Sequence, residues 1–282
     1  MKVELADSAG FCFGVRRAVD TVYRLIEENG GGVCTLGPII HNEQVVEELE
    51  KKGVRVVEHP KEVRENGREI LVIRSHGVPR RLIEKLEERQ IAYEDATCPF
   101  VKKIHDTVTE YSEKGYHIII IGTESHPEVQ GILGWADGAG EVIETREQAE
   151  RFSMADSDRK ICVVAQTTFN YKKFKELVEI LEKKGYDIYV VNTICNATAK
   201  RQSEAENLAV RSDAMIVIGG KQSSNSRKLY EICKNECENT FFIQTADDLE
   251  TIPIPSFASL GITAGASTPK NIIQEVLRKC QK

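Results

Sequence analysis

The sequence predicts an α/β protein of three similar α/β domains, each built on a mainly parallel four-stranded sheet, set around a pseudo-threefold axis. Three observations carry that prediction. Helix-like and strand-like runs alternate with short loops along all 282 residues, the order of runs repeats, and a cysteine stands at the same strand-to-helix corner of each repeat. The corners are LADSAGFCFGVRRAVDTVYRL around Cys12, DATCPF around Cys98 and YVVNTICNATAKRQSEAENLA around Cys195. Cys98 follows Cys12 by 86 residues and Cys195 follows Cys98 by 97. Passing from Cys195 off the end of the chain and back to Cys12 takes 99, so the period survives circular closure.

Taken in order, the runs are short and apolar where a strand is expected and amphipathic where a helix is expected. After Cys12 they give helix 15–28, strand 33–36, helix 43–52, strands 54–57 and 70–74, helix 79–89 and a strand ending near residue 94. From Cys98 the order recurs: a helix to 114, strand 117–121, a helix start in GILGWAD, strand 141–143, helix 146–152, strand 161–165, helix 171–184 and strand 187–191. The third repeat has helix 197–210, strand 214–218, helix 226–234, strands 240–243 and 258–262, and helix 269–279, and lacks a fourth strand. Residues 2–6 form a surplus strand at the other terminus. The expected domains are therefore 14–98, 99–195, and 196–282 completed by 1–13.

A chain of this length suits two or three domains, and 41% hydrophobic with 29% charged residues reads as globular. The net charge of −6 and pI near 5.7 argue against a general nucleic-acid surface. MKVELADSAGFCFG lacks a signal-peptide core, and no apolar run approaches the roughly 18 residues of a membrane span, so a cytoplasmic protein with no membrane partner is expected. In a reducing compartment eight cysteines do not make a disulfide framework, and metal binding or catalysis becomes the reading for those at matched positions. Cys34 and Cys162 lie in apolar strand-like runs, Cys280 lies near the C-terminus, and Cys233 and Cys237 share a helix face without further ligands nearby. These five are read as structural or surface thiols.

A thiol just before a helix meets unpaired backbone N–H groups and the positive end of the helix dipole, which favour the thiolate. Thiolates bind soft metals and iron–sulfur clusters; the bland alternative is three buried structural thiols. Counting from each cysteine to the next strand end gives His41 at +29, His126 at +28, and Ser223 and Ser224 at +28 and +29. A later loop carries His76 at +64, Thr167 at +69 and Ser267 at +72. In parallel sheets ligands bind where strand ends enter helices, so these six loops are expected to face the centre that the cysteines share. LGPIIHN, RSHGVP, ESHPEV, GGKQSSNSRKL and TAGASTP combine small residues with hydroxyl, amide or imidazole groups, mostly at helix starts, which suits a diphosphate. Its charge would favour imidazolium donors. Glu128 is the acid in these loops placed to turn inward and relay protons, or else an ordinary N-terminal helix acid. Lys221, Arg227 and Lys228 either attract the ligand or occupy an exposed loop and helix. His59, His105 and His117 fall off the matched positions and are read as structural. Three cysteines on a [4Fe–4S] cluster leave one iron open to substrate; zinc with three sulfurs and an open position is the alternative metal.

GFCFGVRRAV, LGPIIHN, RSHGV, DATCPFV, HPEVQG, AQTT, TICNAT, GGKQSSNS and TAGASTP together resemble, over nearly the full length, the 4-hydroxy-3-methylbut-2-enyl diphosphate reductase family, also called LytB or IspH. The resemblance implies that Cys12, Cys98 and Cys195 hold a [4Fe–4S] cluster with one open iron. It implies that His41, His76, His126, Ser223, Ser224, Asn225 and Ser267 bind the diphosphate, and that Thr167 and Glu128 serve the substrate hydroxyl. The implied reaction is reductive dehydroxylation of (E)-4-hydroxy-3-methylbut-2-enyl diphosphate to isopentenyl and dimethylallyl diphosphate, the last step of the non-mevalonate isoprenoid pathway. The implied electron donor is a ferredoxin or flavodoxin, and the chain is a monomer or homodimer. The rival readings are a non-redox iron–sulfur hydro-lyase acting on a phosphorylated alcohol, and an iron–sulfur sensor or carrier.

Overall fold

A computed structural model describes residues 1–64, 69–156 and 158–281. In chain order the elements are β1 (Lys2–Leu5), α1 (Phe13–Asn29), β2 (Val33–Leu36), α2 (Glu43–Lys51), β3 (Arg55–Val57), β4 (Ile70–Ile73), α3 (Arg80–Glu88) and β5 (Tyr93–Asp95). Then come α4 (Pro99–Glu113), β6 (His117–Ile121), α5 (Pro127–Leu133), β7 (Gly140–Ile143), α6 (Arg146–Arg151), β8 (Ile161–Ala165), α7 (Tyr171–Glu182) and β9 (Ile188–Val190). The last are α8 (Asn196–Val210), β10 (Ala214–Ile218), α9 (Ser224–Glu236), β11 (Thr240–Ile243), β12 (Ser259–Ala264) and α10 (Lys270–Cys280).

The strands form three four-stranded sheets in the orders β3-β2-β4-β5, β7-β6-β8-β9 and β11-β10-β12-β1, and every pair within them is parallel. All three share one topology, and β1 takes in its sheet the edge place that β5 and β9 take in theirs. Lys2 pairs with Ser259 and Leu5 with Ile262, so the surplus N-terminal strand fills the place left by the strand missing at the C-terminus.

The chain divides into two compact units, one of Met1–Arg16, Ile40–Glu48 and Cys195–Lys282, the other of Arg17–Ile39 and Leu49–Ile194. The first holds the sheet β11-β10-β12-β1. Alternate residues of β10 enter different cores: Ile216 and Ile218 pack with Ile262, Ile273 and Val276 on one face, Met215 and Val217 with Leu208 and Leu229 on the other. The second unit holds the other two sheets, and in β6 Ile119 and Ile121 face Phe174 and Leu177 while Ile118 and Ile120 face Ile104 and Val129. Burial on both faces explains the unbroken apolar run HIIII, a mark of a central parallel strand.

Two expectations need correction. The helix start placed in GILGWAD lies earlier, because His126 caps α5 and Pro127 occupies its first turn, where a missing N–H costs nothing; Gly134 already ends it. Cys237 does not share the face of α9 with Cys233 as a helical residue. It is the residue that caps the helix end, and both thiols are buried against Leu208 and Val217. A 3-10 turn at Ala246–Thr251 was not expected; its signal is the box in which the Thr245 and Asp248 side chains bond each other's backbone.

Within the second unit the loop after β4 is held by α4 and the turn that follows α5. The indole N–H of Trp135 donates to the Val78 carbonyl at 2.9 Å, and His105 stacks on the Trp135 ring with centroids 5.0 Å apart. Gly77 adopts φ +73°, and a Cβ there would stand 2.7 Å from His105 Cε1. Gly77→Ala is expected to cost about 1–3 kcal/mol through strain and overlap; a urea-unfolding midpoint equal to that of the parent chain would show that the loop can move aside.

Candidate active site

Parallel strands deliver all their C-terminal ends to one edge, and strand order reverses between the two central strands of each sheet, where ligands collect. The loops leaving those strands are the ones the spacing singled out: His41 follows β2 and His76 follows β4, His126 and Thr167 follow β6 and β8, and Ser223 and Ser267 follow β10 and β12. Each edge strand β5, β9 and β1 leads instead to a cysteine.

Cys98 and Cys195 occupy the N-cap positions of α4 and α8 with extended backbone, and neither thiol acts as a cap acceptor. Cys12 directly precedes α1. In each case the cysteine carbonyl accepts the N–H four residues on, from Arg16, Lys102 and Ala199, at 3.0 Å. The Cys12 N–H donates to Ala266 and the Cys98 N–H to Ser75, residues of corresponding loops in two sheets. At the Cys98 corner Asp95 accepts from the Thr97 N–H and pairs with Lys102. Burial pushes the Asp95 carboxyl up, and the bonds from Lys102 and Thr97 more than offset it, holding the carboxyl below the usual range. Arg17 closes the same corner with bonds to the Thr97 and Asp95 carbonyls. The three corner cysteines are half-buried and in no disulfide, whereas the other five are buried. Burial pushes Cys34, Cys162 and Cys233 up to about 12, as inert structural thiols require.

In the second unit, Glu128 in the first turn of α5 is 3% exposed and holds Thr167 on both oxygens. One oxygen accepts the Thr167 N–H at 2.6 Å and the other bonds the Thr167 hydroxyl at 2.8 Å. Burial raises the Glu128 carboxyl to about 7, and the two Thr167 bonds restrain that rise. His126 Nδ1 accepts the Glu128 N–H at 3.1 Å. With Nδ1 accepting that N–H, Nε2 is the ring nitrogen left to donate. The His76 ring stands edge-on to it at 5.3 Å.

In the first unit, Ser223 caps α9 and its hydroxyl accepts from the Ser226 N–H and hydroxyl. The Ser267 hydroxyl donates to the His41 carbonyl at 3.0 Å and lies 3.3 Å from the Ser223 hydroxyl. Asn225 is 4% exposed, and both its amide nitrogen and its carbonyl oxygen are buried with no hydrogen-bond partner. Ser224 lies half-buried beside it in the first turn of α9. Of the basic residues considered, Lys221 and Arg227 are exposed, with Arg227 bonded to the Lys221 carbonyl, and Lys228 lies near Glu231. His105 and His117 are placed as structural side chains, stacked on Trp135 and Phe152.

Four polar residues escaped the sequence reading. Gln166 is fully buried and links two loops of one sheet, accepting the Thr123 N–H and donating to the Thr168 hydroxyl. Ser226 fits only because Gly219 and Gly265 lack side chains. Arg74 lies over Gly37, and burial lowers its pKa. Arg201 is buried beneath the Cys12 loop. Gln166 and Ser226 lay inside quoted motifs, AQTT and SSNS, which was the available signal; Arg74 opened RSHGVP and Arg201 followed TICNAT by one turn.

The family model described as LytB protein matches residues 3–281. The chain is 45% identical over 279 residues to the 4-hydroxy-3-methylbut-2-enyl diphosphate reductase of Alkaliphilus oremlandii, covering 98% of each. It is 44% identical over 277 residues to that of Clostridioides difficile, again covering 98% of each. Among solved structures it is similar to the E-1-hydroxy-2-methyl-but-2-enyl-4-diphosphate reductase from Plasmodium falciparum, with TM-score 0.94 and 28% identity over 99% of this chain and 87% of that one. A structure of (E)-4-hydroxy-3-methyl-but-2-enyl diphosphate reductase, the terminal enzyme of the non-mevalonate pathway, aligns with TM-score 0.69 and 41% identity over 100% and 99%. With a family match from end to end and corresponding strand ends bearing the chemistry that the motifs announced, the chain belongs to the LytB family.

Proposed function

We propose that the chain reduces (E)-4-hydroxy-3-methylbut-2-enyl diphosphate, with two electrons and two protons, to isopentenyl or dimethylallyl diphosphate and water. The observation that carries this reading is the Glu128–Thr167 pair, a buried acid poised near neutrality against a hydroxyl, in a chain whose full-length relatives are named for this reaction.

Cys12, Cys98 and Cys195 are proposed as the ligands of a [4Fe–4S] cluster. The donor set fits, because the three thiols at helix starts are the ones not buried in the cores. Such a cluster supplies electrons singly and, at an iron without a protein ligand, a Lewis acid for the substrate oxygen. The electrons come from a carrier of ferredoxin or flavodoxin type. Cysteines that form no disulfide suit the reducing cytoplasm, and among the described residues no helix is long and apolar enough to cross a membrane.

The residues divide the remaining work. His41, His76, His126, Ser223, Ser224, Asn225 and Ser267 bind the diphosphate. For His126 the ring offers Nε2–H as donor. Asn225 supports this assignment on energetic grounds: a buried donor or acceptor without a partner costs about 1–3 kcal/mol, and a phosphoryl group accepts from its amide nitrogen. Glu128, when protonated, reverses its bond to Thr167, so that its O–H donates to the Thr167 hydroxyl and that hydroxyl donates onward to the departing oxygen. One proton leaves with the oxygen as water. The second adds to either end of the allyl unit, which yields the two products.

The direct test is anaerobic turnover of the allylic diphosphate by the iron- and sulfide-loaded chain with a chemical reductant; turnover without electrons would establish a hydro-lyase instead. Glu128→Gln should lower kcat by about 10²–10⁴ with iron content unchanged, and near-parental rates would remove Glu128 from the proton path. The pH dependence follows from the raised carboxyl. The acid must be protonated to donate, so kcat should fall as pH rises through about 7 and the Gln variant should lose that limb. The linkage has the same sign: stability contributed by the protonated Glu128 is complete below the ordinary carboxylate range and is lost as pH rises through about 7. Asn225→Ala should raise KM about tenfold or more while leaving the melting temperature of the ligand-free chain unchanged or higher; a lower melting temperature with unchanged KM would make Asn225 structural.

A further inference from the structure

One helix joins two of the corner cysteines mechanically. α8 starts directly after Cys195, and two of its residues, Arg201 and Glu204, grip the loop that ends at Cys12. Arg201 donates from Nε and Nη2 to the Ser8 carbonyl at 3.0 and 2.6 Å, and from Nη2 to the Gly10 carbonyl at 2.8 Å. Glu204 accepts the backbone N–H groups of Asp7 and Ser8 at 2.7 and 2.9 Å, and the Ser8 hydroxyl as well. Gly10 turns through φ +102° inside this grip, two residues before the thiol.

Arg201 is 3% exposed, and its Nη1 is buried with no hydrogen-bond partner. Burial lowers its pKa, and the nearby Cys12, Cys195 and then Glu204 offset only part of that fall. Glu204 is already engaged by three donors of the loop. The guanidinium is therefore a fixed positive charge, held by carbonyls and lying within electrostatic reach of two thiols. A charge so placed is costly to bury, and a negatively charged neighbour repays the cost.

We infer that Arg201 is a positioning residue of the metal centre, which fixes the Cys12 loop against the helix of Cys195 and sets a buried cation that favours the reduced cluster. The inference rests on the assignment of Cys12 and Cys195 as cluster ligands. Each one-electron reduction makes the cluster one charge more negative, so a nearby fixed cation raises its potential, and hydrogen bonding and charge around the sulfurs are known levers on that potential.

The test compares the full chain with Arg201→Gln and Arg201→Lys, each loaded anaerobically with iron and sulfide. Iron per chain, iron release to a chelator and the one-electron midpoint followed by electron paramagnetic resonance are the readouts. In Arg201→Gln the ratio of reduced to oxidised cluster at a fixed solution potential should fall about tenfold, a drop of about 59 mV. In Arg201→Lys the midpoint should stay near the parental value, while iron is released several-fold faster because an ammonium lacks the planar fork that spans Ser8 and Gly10. Equal midpoints in the parent and Arg201→Gln, or equal shifts in the two variants, overturn the electrostatic part. If Arg201→Gln fails to fold, parental iron release from Arg201→Lys overturns the positioning part by itself. A parent chain that takes up no cluster overturns the ligand assignment beneath both.

Discussion

Strands that all run the same way leave a sheet by the same edge, and this constraint organises the molecule. Each of the three sheets is wholly parallel with one shared strand order, so its two central strands release their loops side by side and its edge strand releases a cysteine next to them. Parallel pairing needs a crossover connection, usually a helix, and a helix that starts at the strand's end brings unpaired N–H groups to that same edge. Hydroxyl, imidazole and thiol side chains therefore meet backbone donors without any long loop to place them. The polar chemistry sits at the edge of each sheet because the apolar runs between, such as Ile118 to Ile121, are buried on both faces.

That arrangement is expensive at particular residues. A chain of this kind is stable by only about 5–15 kcal/mol, and one unsatisfied buried polar atom costs about 1–3, so Asn225 with two such atoms consumes a noticeable share. Glu128 gives up hydration for two bonds to Thr167, and those bonds do not cancel the burial, since the carboxyl still stands near 7. Ser226 occupies space left by two glycines. Hydrophobic replacements of similar size would pack at lower cost. What these residues share is a place at the ends of the central strands, where parallel α/β sheets collect polar groups.

The repeat, the parallel sheets and the corner cysteines were legible because each depends on local pattern: apolar period, helix-start chemistry and the spacing of one residue type. Even the missing strand was legible, as a surplus at one terminus and a deficit at the other. Residues that act across the chain were not. Arg201 reaches back 191 residues to Gly10, Trp135 reaches back 57 to Val78, and Gln166 spans 43 to Thr123. No period in the sequence encodes such pairs, because each is set by which loops the sheets bring together. The misplaced start of α5 has a different origin: proline at a helix start reads locally as a breaker, and only the His126 cap reveals it as the first turn.

The balance of charge also has a physical consequence. A chain of net charge −6 that binds a diphosphate by lysine and arginine alone would need a local basic cluster, and two cations beside these loops have other partners: Lys102 pairs with Asp95 and Arg227 bonds the Lys221 carbonyl. Within the first unit, Ser223, Asn225 and Ser267 stand at strand ends as neutral dipoles beside the start of α9. Oriented dipoles attract a phosphoryl group at short range and are little screened by salt. They also leave its negative charge largely in place, where a strong cation would neutralise it. An anion that keeps its charge can accept and return protons close to the carbon skeleton attached to it, which suits a reaction that loses its hydroxyl as water, keeps its diphosphate and must protonate an allyl unit at one of two ends.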